Sequence, residues 1–150
     1  MNLIRFSFLV AIGLVLAGCE SVGDRFSPVV PKVQVYKADQ DTLKVAALQA
    51  FKRLDFNVTR SKGLDLEAVS RIHSSVAFAD SRQLLVKLRL TEAGPGQTAA
   101  EMTVTEQSQS DRVGGTNQLA MREHGFFQLY FATLQQVLDE NPGGFPSKKK

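Results

Sequence analysis

The fold is decided by the segment LLVKLRLT, residues 84–91, in which every even-numbered residue is apolar. Successive side chains of a strand point to opposite faces, so this alternation predicts a strand with Lys87 and Arg89 on its solvent face. The sequence GPG at positions 94–96 follows as a turn, and residues 100–105, AEMTVT, alternate again. Two half-buried strands joined by a short turn form an antiparallel hairpin, which is therefore the predicted centre of the fold.

A second hairpin is predicted ahead of this one. Residues 56–60 alternate, SKG at 61–63 is a turn sequence, and residues 64–72 place apolar and charged side chains on opposite parities. The apolar residues of 64–72 also recur at four-residue spacing, so a helix is the alternative for this segment, although the alternation favours a strand. Residues 32–36, KVQVY, alternate as well and predict a short first strand.

Two amphipathic helices are predicted. The first follows a capping aspartate, either Asp39 or Asp41, and carries an apolar stripe at three- and four-residue spacing up to Leu54. From Asn117 onward the spacing again becomes helical, and Asn141 with the following proline and glycine ends this second helix. Its apolar face is the richest in the chain and consists of Phe126, Phe127, Tyr130, Phe131, Leu134, Val137 and Leu138.

These elements predict the order β-α-β-β-β-β-α. Each half-buried strand needs one face covered, and two amphipathic helices can cover that face of a single sheet. The predicted fold class is therefore α+β, a two-layer domain in which two helices cover one face of an antiparallel sheet of four or five strands. Residues 111–116, which include two glycines, are expected to form a loop.

The N-terminal segment has the pattern of an export signal. Residues 1–5 contain one positive charge, and residues 6–16 are uncharged and mostly apolar. Leu16-Ala17-Gly18-Cys19 then closes the segment with the one cysteine of the sequence. A charged start, an apolar stretch of about 7–15 residues and a small-residue exit are typical of a signal peptide. The apolar stretch is shorter than the roughly 20 residues that a membrane-spanning helix needs.

Leu16-Ala17-Gly18-Cys19 resembles the lipobox of bacterial lipoproteins, a resemblance that covers residues 1–20. It implies that the thiol of Cys19 receives a diacylglyceryl group, that the chain is cleaved between Gly18 and Cys19, and that the new amino group is acylated. Because Glu20 rather than aspartate follows the cysteine, it also implies sorting to the outer membrane of a bacterium with two membranes. The alternatives are an ordinary signal peptide that carries a cysteine and a short membrane anchor.

The pattern divides the chain into a signal peptide (1–18), a lipidated tether (19–31), a single domain (32–141) and a flexible basic tail (142–150). Removal of the signal peptide leaves 132 residues, enough for one domain, with 17 basic and 15 acidic side chains. Three of the basic residues are the terminal lysines at 148–150, so the net positive charge belongs to the tail. Without a basic stripe interleaved with aromatic residues, nucleic acid is not an expected partner.

Candidate functional residues are few. His73 and His124 have no further ligands at metal-binding spacing, so a solvated or helix-capping role is expected for each. The connection SSVAFADSRQ, residues 74–83, is the main candidate for partner contact through Phe78, Asp80 and Arg82, because loops on a rigid scaffold carry recognition. The alternative is a plain connection in which Phe78 fills the edge of the core.

The sequence contains no catalytic constellation. Asp65 and Glu67 belong to a predicted solvent face, and neither a nucleophile elbow nor a phosphate-binding glycine loop occurs. Lipidation of Cys19 would leave no thiol, which excludes disulfides, thiolate metal sites and cysteine catalysis. Because no catalytic constellation is found, no enzymatic activity, cofactor or metal is expected.

The sequence predicts a non-catalytic structural or assembly component of the bacterial cell envelope. It would be anchored by lipid on the periplasmic side of the outer membrane and associated with another envelope protein. The alternative is a binding module for an apolar or envelope-polymer ligand, for example in transport. A large empty cavity beside the aromatic residues of the second helix would favour the alternative, whereas a filled core would favour the structural role.

Overall fold

The computed structural model describes residues 29–75, 80–110 and 115–145. Within these ranges the chain forms seven strands and two helices, and the predicted α+β fold is confirmed. The strands are β1 (Lys32–Tyr36), β2 (Asn57–Lys62), β3 (Asp65–Val69), β4 (His73–Ser75), β5 (Asp80–Gly94), β6 (Gln97–Ser110) and β7 (Gly115–Met121), and the helices are α1 (Gln40–Arg53) and α2 (Gly125–Asp139). Neither helix in the described part of the chain is long and apolar enough to cross a membrane. The predicted signal peptide, most of the tether and the end of the basic tail lie outside the described residues.

All strands join one antiparallel sheet whose main path is β1-β6-β5-β3-β2. The long β5–β6 hairpin is its spine, paired from Asp80 opposite Ser110 to the turn at Gly94. Along one edge of β5, β3 and β4 lie end to end, and along the outer edge of β6, β1 and β7 do the same. Strands β5 and β6 therefore run through the whole sheet. In one half they are flanked by β3 with β2 and by β1, and in the second half they are flanked by β4 and β7.

The core lies between the helices and one face of the main path. Of the even-numbered residues that the sequence places on the inner face of the hairpin, Leu84 is half-buried and the others are buried, namely Val86, Leu88, Leu90, Ala100, Met102 and Val104. Helix α1 buries Leu43, Ala46, Ala47, Ala50 and Phe51 against them, and helix α2 buries Phe126, Phe127, Tyr130, Phe131, Leu134 and Val137. Both apolar stripes predicted from spacing thus face the sheet.

Two buried tyrosines join the layers. The Tyr130 hydroxyl of α2 donates a hydrogen bond to the carbonyl oxygen of Ala47 in α1 at 3.2 Å. The Tyr36 hydroxyl of β1 donates to the carbonyl oxygen of Phe131 in α2, also at 3.2 Å. Burial raises the pKa of both phenols, so both remain protonated hydrogen-bond donors.

Helix α1 begins with the predicted aspartate cap. Asp39 is the N-cap residue, and its Oδ1 accepts a hydrogen bond from the backbone N–H of Thr42 at 2.9 Å. Its Oδ2 accepts a second hydrogen bond from the Thr42 hydroxyl at 2.8 Å. These bonds to the charged form hold the pKa of Asp39 below its ordinary value, with the backbone bond making the largest contribution.

Asp39→Ala is therefore expected to lower the free energy of unfolding by about 1 kcal/mol, because the N–H of Thr42 loses its acceptor. Asp39→Asn keeps an acceptor and should stay close to wild type at neutral pH. A carboxyl group whose pKa is lower in the folded state than in the unfolded state stabilises the fold at any pH above its unfolded-state pKa. This stabilisation is lost as the pH falls through the folded-state pKa. Thermal melts between about pH 3 and 7 should therefore show the stability of the wild type falling relative to that of Asp39→Asn below about pH 4. Equal pH profiles would contradict the cap.

Strand β7 occupies residues that the sequence predicts to open the last helix, and this prediction is wrong. Asn117 pairs with Ser108 of β6, and helix α2 begins only at Gly125. The segment GTNQLAM is rich in residues that are uncommon in strands, so its pairing with β6 overrides its intrinsic preference. Gly115 and Thr116, expected in a loop, are also part of β7.

Strand β1 alternates as predicted, and its Tyr36 side faces the core. Tyr36 is 2% exposed, whereas Val33 and Val35 are 57% and 52% exposed on the opposite face of the sheet. The segment after the first hairpin also departs from expectation, because β3 ends at Val69 and Ile72 is exposed. The alternative of a helix over residues 64–72 is excluded by β3, which pairs with both β2 and β5.

Candidate functional site

A cleft of about 360 Å³ lies where both helices meet the second half of the sheet. Helix α1 ends at the cleft, helix α2 begins at it, and the break between β3 and β4 forms one wall. The lining residues are Leu54, Asp55, Phe56, Ser70, Arg71, His73, Arg82, Gln83, Leu84, Glu106 and His124. The cleft therefore has an apolar floor and a rim of charged and polar side chains.

The end of α1 shapes the first wall. Asp55 has a φ of +62°, in the left-handed region, directly after the C-cap residue Leu54. The N–H of Phe56 donates to the carbonyl oxygen of Phe51 at 2.9 Å, and that of Asp55 donates to Lys52 at 3.2 Å. This pair of bonds is the Schellman motif. The rings of Phe51 and Phe56, whose centroids are 6.1 Å apart, supply its apolar contact. The turn thereby projects the Asp55 carboxylate to the rim and Phe56 to the floor.

The second wall comes from a break between two strands. The N–H of Ser70 donates to the carbonyl oxygen of Leu84 at 2.9 Å, and the Ser70 hydroxyl accepts from the N–H of Leu84 at 2.9 Å. Gln83 donates through Nε2 to the carbonyl oxygen of Ser70, also at 2.9 Å. These bonds fix the chain between β3 and β4, so that Arg71 and His73 border the cleft.

The charges at the rim are paired. Arg71 Nε lies 2.6 Å from Asp55 Oδ2, and Arg82 Nη1 lies 3.6 Å from Glu106 Oε1. Three of these four side chains are more than half exposed, so each pair contributes little to stability and can exchange partners with a docked molecule at low cost. The cleft thus offers both signs of charge around an apolar floor.

His124 has a structural role at the rim. It is the N-cap residue of α2, and its Nδ1 accepts a hydrogen bond from the N–H of Phe126 at 3.2 Å. The acceptor at Nδ1 leaves the ring proton on Nε2. The expected capping role is confirmed for His124. His73 borders the same cleft, although the two histidines are 51 residues apart in the sequence.

The predicted contact residues are only partly brought together. Arg82 lies in the cleft, and Asp80 begins β5 opposite Ser110, so these two residues belong to a strand rather than to the predicted loop. Phe78 lies outside the described residues, as do Gly18 and Cys19. The sequence pattern does not identify Asp55, Arg71 and Glu106, which come from the turn after α1, the β3–β4 connection and β6, respectively.

Among the described residues, no group of three or more histidine, cysteine, aspartate and glutamate side chains could hold a metal ion. The predicted solvent face of the sheet holds paired charges instead: Asp65 accepts from Arg89 Nε at 2.8 Å, and Glu67 lies 3.5 Å from Arg60. The bond from Arg89 holds the pKa of Asp65 below its ordinary value, so this carboxylate is ionised at neutral pH. Asp65 and Glu67 therefore form part of a solvated face.

A second surface feature is an open groove of about 570 Å³ between β1 and α2. Phe127 and Phe131 border it, although both are less than a tenth exposed. The other two aromatic residues of α2 point into the core, where Tyr130 packs on Phe51 at a centroid distance of 4.5 Å and Phe126 packs on Phe56 at 4.7 Å.

Comparison with known proteins identifies no family. Neither protein-family models nor curated protein sequences match the chain. Among solved structures, one similar chain is the adenylate sensor from AMP-activated protein kinase in complex with 5-aminoimidazole-4-carboxamide ribofuranotide, at 16% identity and a TM-score of 0.42. The alignment covers 71% of this chain and 94% of that one. A likeness at this score carries no inference about the function of the present chain.

Proposed function

We propose that this chain is a lipoprotein of the bacterial cell envelope, anchored by lipid to the periplasmic side of the outer membrane. Its folded domain acts as a non-catalytic structural or assembly component. The observation that carries the proposal is the sequence Leu16-Ala17-Gly18-Cys19 at the end of an uncharged apolar stretch. Two or more acyl chains at Cys19 make such an anchor stable, because each buried methylene contributes about 0.8 kcal/mol.

A structural role is favoured over ligand carriage by the packing of the α2 aromatics. Carriers of apolar ligands hold them in cavities of about 300–1,000 Å³ lined by apolar side chains. Here Tyr130 is fully buried and its ring lies 4.5 Å from Phe51 and 5.9 Å from Phe126, so these rings fill the space between the layers. The binding module remains the second candidate, because the groove beside β1 is bordered by Phe127 and Phe131.

The cleft at the end of the helices is the proposed docking site for another envelope protein. Its floor of Phe56 and Leu84 suits an apolar side chain, and the surrounding ion pairs can be exchanged with charges of either sign. The tether limits where this partner can be. Residues 20–31 span at most about 40 Å when fully extended, so the partner must lie close to the membrane surface.

The lipid anchor is tested by metabolic labelling with a fatty-acid analogue. Cys19→Ser is expected to abolish labelling and to leave the precursor uncleaved at Gly18. Fractionation should find the wild type with the outer membrane, and Glu20→Asp should move it to the inner membrane. Equal labelling of wild type and Cys19→Ser would contradict the lipid anchor. Recovery of the wild type in the inner membrane would contradict only the proposed outer-membrane location.

The docking site is tested by photo-cross-linking in intact cells. A photoreactive residue in place of Arg82 is expected to give an adduct with a second envelope protein. The matched control is the same substitution at Arg60, because both side chains are more than half exposed in the sheet. Adducts of equal yield at both positions, or at Arg60 alone, would show that the cleft is not the docking site.

A further inference from the structure

The two edges of the main sheet path differ in how they are protected. Strand β2, at one end, has a register irregularity between Val58 and Arg60 and carries exposed Arg60 and Lys62. Bulges and outward charges of this kind prevent an edge strand from pairing with another chain. Strand β1, at the other end, pairs with β6 in unbroken register over all five residues and exposes Val33 and Val35. Within the part of the chain that the structure describes, the β2 edge therefore carries the usual protection and the β1 edge does not.

The helix beside β1 carries no charged side chain before its last residue. No lysine, arginine, aspartate or glutamate occurs between residues 125 and 138, which include all but the last residue of α2. Along the groove next to β1, α2 presents Gln128, Ala132 and Gln135. The charges at this end are Lys32 and Glu123, and they neutralise each other at 2.6 Å. The part of the surface that lines the groove can therefore approach a copy of itself without net like-charge repulsion.

The sequence of β1 is suited to pairing with itself. Val33-Gln34-Val35 reads the same in both directions. If two copies pair antiparallel about a twofold axis at Gln34, each Val33 lies opposite Val35 of the second copy, and Lys32 lies opposite Tyr36. Directly opposed β-branched residues stabilise antiparallel pairs, and no like charges meet in this register.

We propose that the chain self-associates through the outer edge of β1, so that the two sheets become continuous across an antiparallel β1–β1 junction. A strand of five residues is only about 17 Å long, and stable interfaces bury about 800 Å² on each partner. The uncharged face of α2 lies beside β1 and supplies the rest of the contact. The docking cleft is bounded by other elements and stays accessible in this arrangement.

The test is the mass of the full chain in detergent, measured by analytical ultracentrifugation. The wild type is expected to form a dimer. Val33→Lys with Val35→Lys places like charges opposite each other and should weaken self-association at least about tenfold. The variant Val33→Lys with Val35→Glu changes the same two residues. Each new lysine then lies opposite a glutamate of the second copy, so this variant should form the dimer that the double-lysine variant loses.

Two controls separate the junction from other causes. Thr59→Lys with Ser61→Lys adds the same charge to β2 and should leave the dimer intact. All variants keep the same N-terminal segment, so any association through a shared micelle affects them equally, and circular dichroism checks that each is folded. A monomeric wild type, an undiminished dimer of the double-lysine variant, or a folded lysine–glutamate variant that stays monomeric would overturn the proposal.

Discussion

Met102→Asp is expected to leave the domain unfolded at neutral pH. Met102 is fully buried on the inner face of β6, where it pairs with Leu88 of β5 and with Lys32 of β1. Truncating a buried methionine costs about 2–5 kcal/mol, and an unpaired buried carboxylate adds several more. A domain of this size has about 5–15 kcal/mol of stability in total. Far-UV circular dichroism of the variant should show loss of the native spectrum and of a cooperative melt.

Thr103→Asp is the matched control for that substitution. Thr103 is the next residue of β6, points to the opposite face of the sheet and lies opposite Lys87 of β5. A carboxylate there faces solvent beside a lysine, so the free energy of unfolding should stay within about 1 kcal/mol of wild type. If both aspartates are tolerated, or both unfold the domain, the assignment of one buried and one solvated face is wrong.

Phe51→Ala is expected to lower the free energy of unfolding by about 3–5 kcal/mol, because it removes a fully buried ring and leaves a cavity. The Phe51 ring contacts Tyr130 of α2 at a centroid distance of 4.5 Å and Phe56 at 6.1 Å. Its loss therefore weakens the contact between the helices and also the turn that forms the cleft. In a thermal melt the midpoint should fall by more than roughly 10 °C.

Gln49→Ala serves as the control on the same helix. Gln49 is exposed, and alanine is a better helix former, so this variant should melt within about 0.5 kcal/mol of wild type. A Phe51→Ala protein that melts like Gln49→Ala would mean that α1 does not pack on α2 as described. In that case the aromatic cluster would have to serve a partner or a ligand instead.

The elements with strong alternation or helical spacing could be predicted from the sequence because their pattern and their tertiary environment agree. The β5–β6 hairpin has one buried face throughout its central part, and α2 has a continuous apolar stripe. Strand β7 could not be predicted, because Asn117 and its neighbours gain their conformation from pairing with β6 rather than from their own preference. The first part of β5 could not be predicted either, because residues 80–83, DSRQ, are all polar and show no apolar alternation.

The cleft was predictable only in part. The position of Arg82 between two predicted strands makes it a candidate contact residue, and Arg82 lines the cleft. Asp55 and Glu106, however, reach the same cleft from a helix end and a strand that lie 51 residues apart in the sequence. The left-handed φ of Asp55 is visible only in the structure, because glycine is the residue whose presence usually indicates such a helix end in a sequence.

The order of tether and sheet has a mechanical consequence. The tether leads directly into β1, which is held to the sheet through β6 and fixed at its far end by the buried Tyr36. If the chain is anchored through Cys19 as proposed, a pull between membrane and domain loads β1 first, starting at Lys32. Peeling residues 32–35 would lengthen the tether by about 14 Å while Tyr36 still holds the strand end in the core. The edge strand would thus act as an extensible link that yields before the folded layers are disturbed.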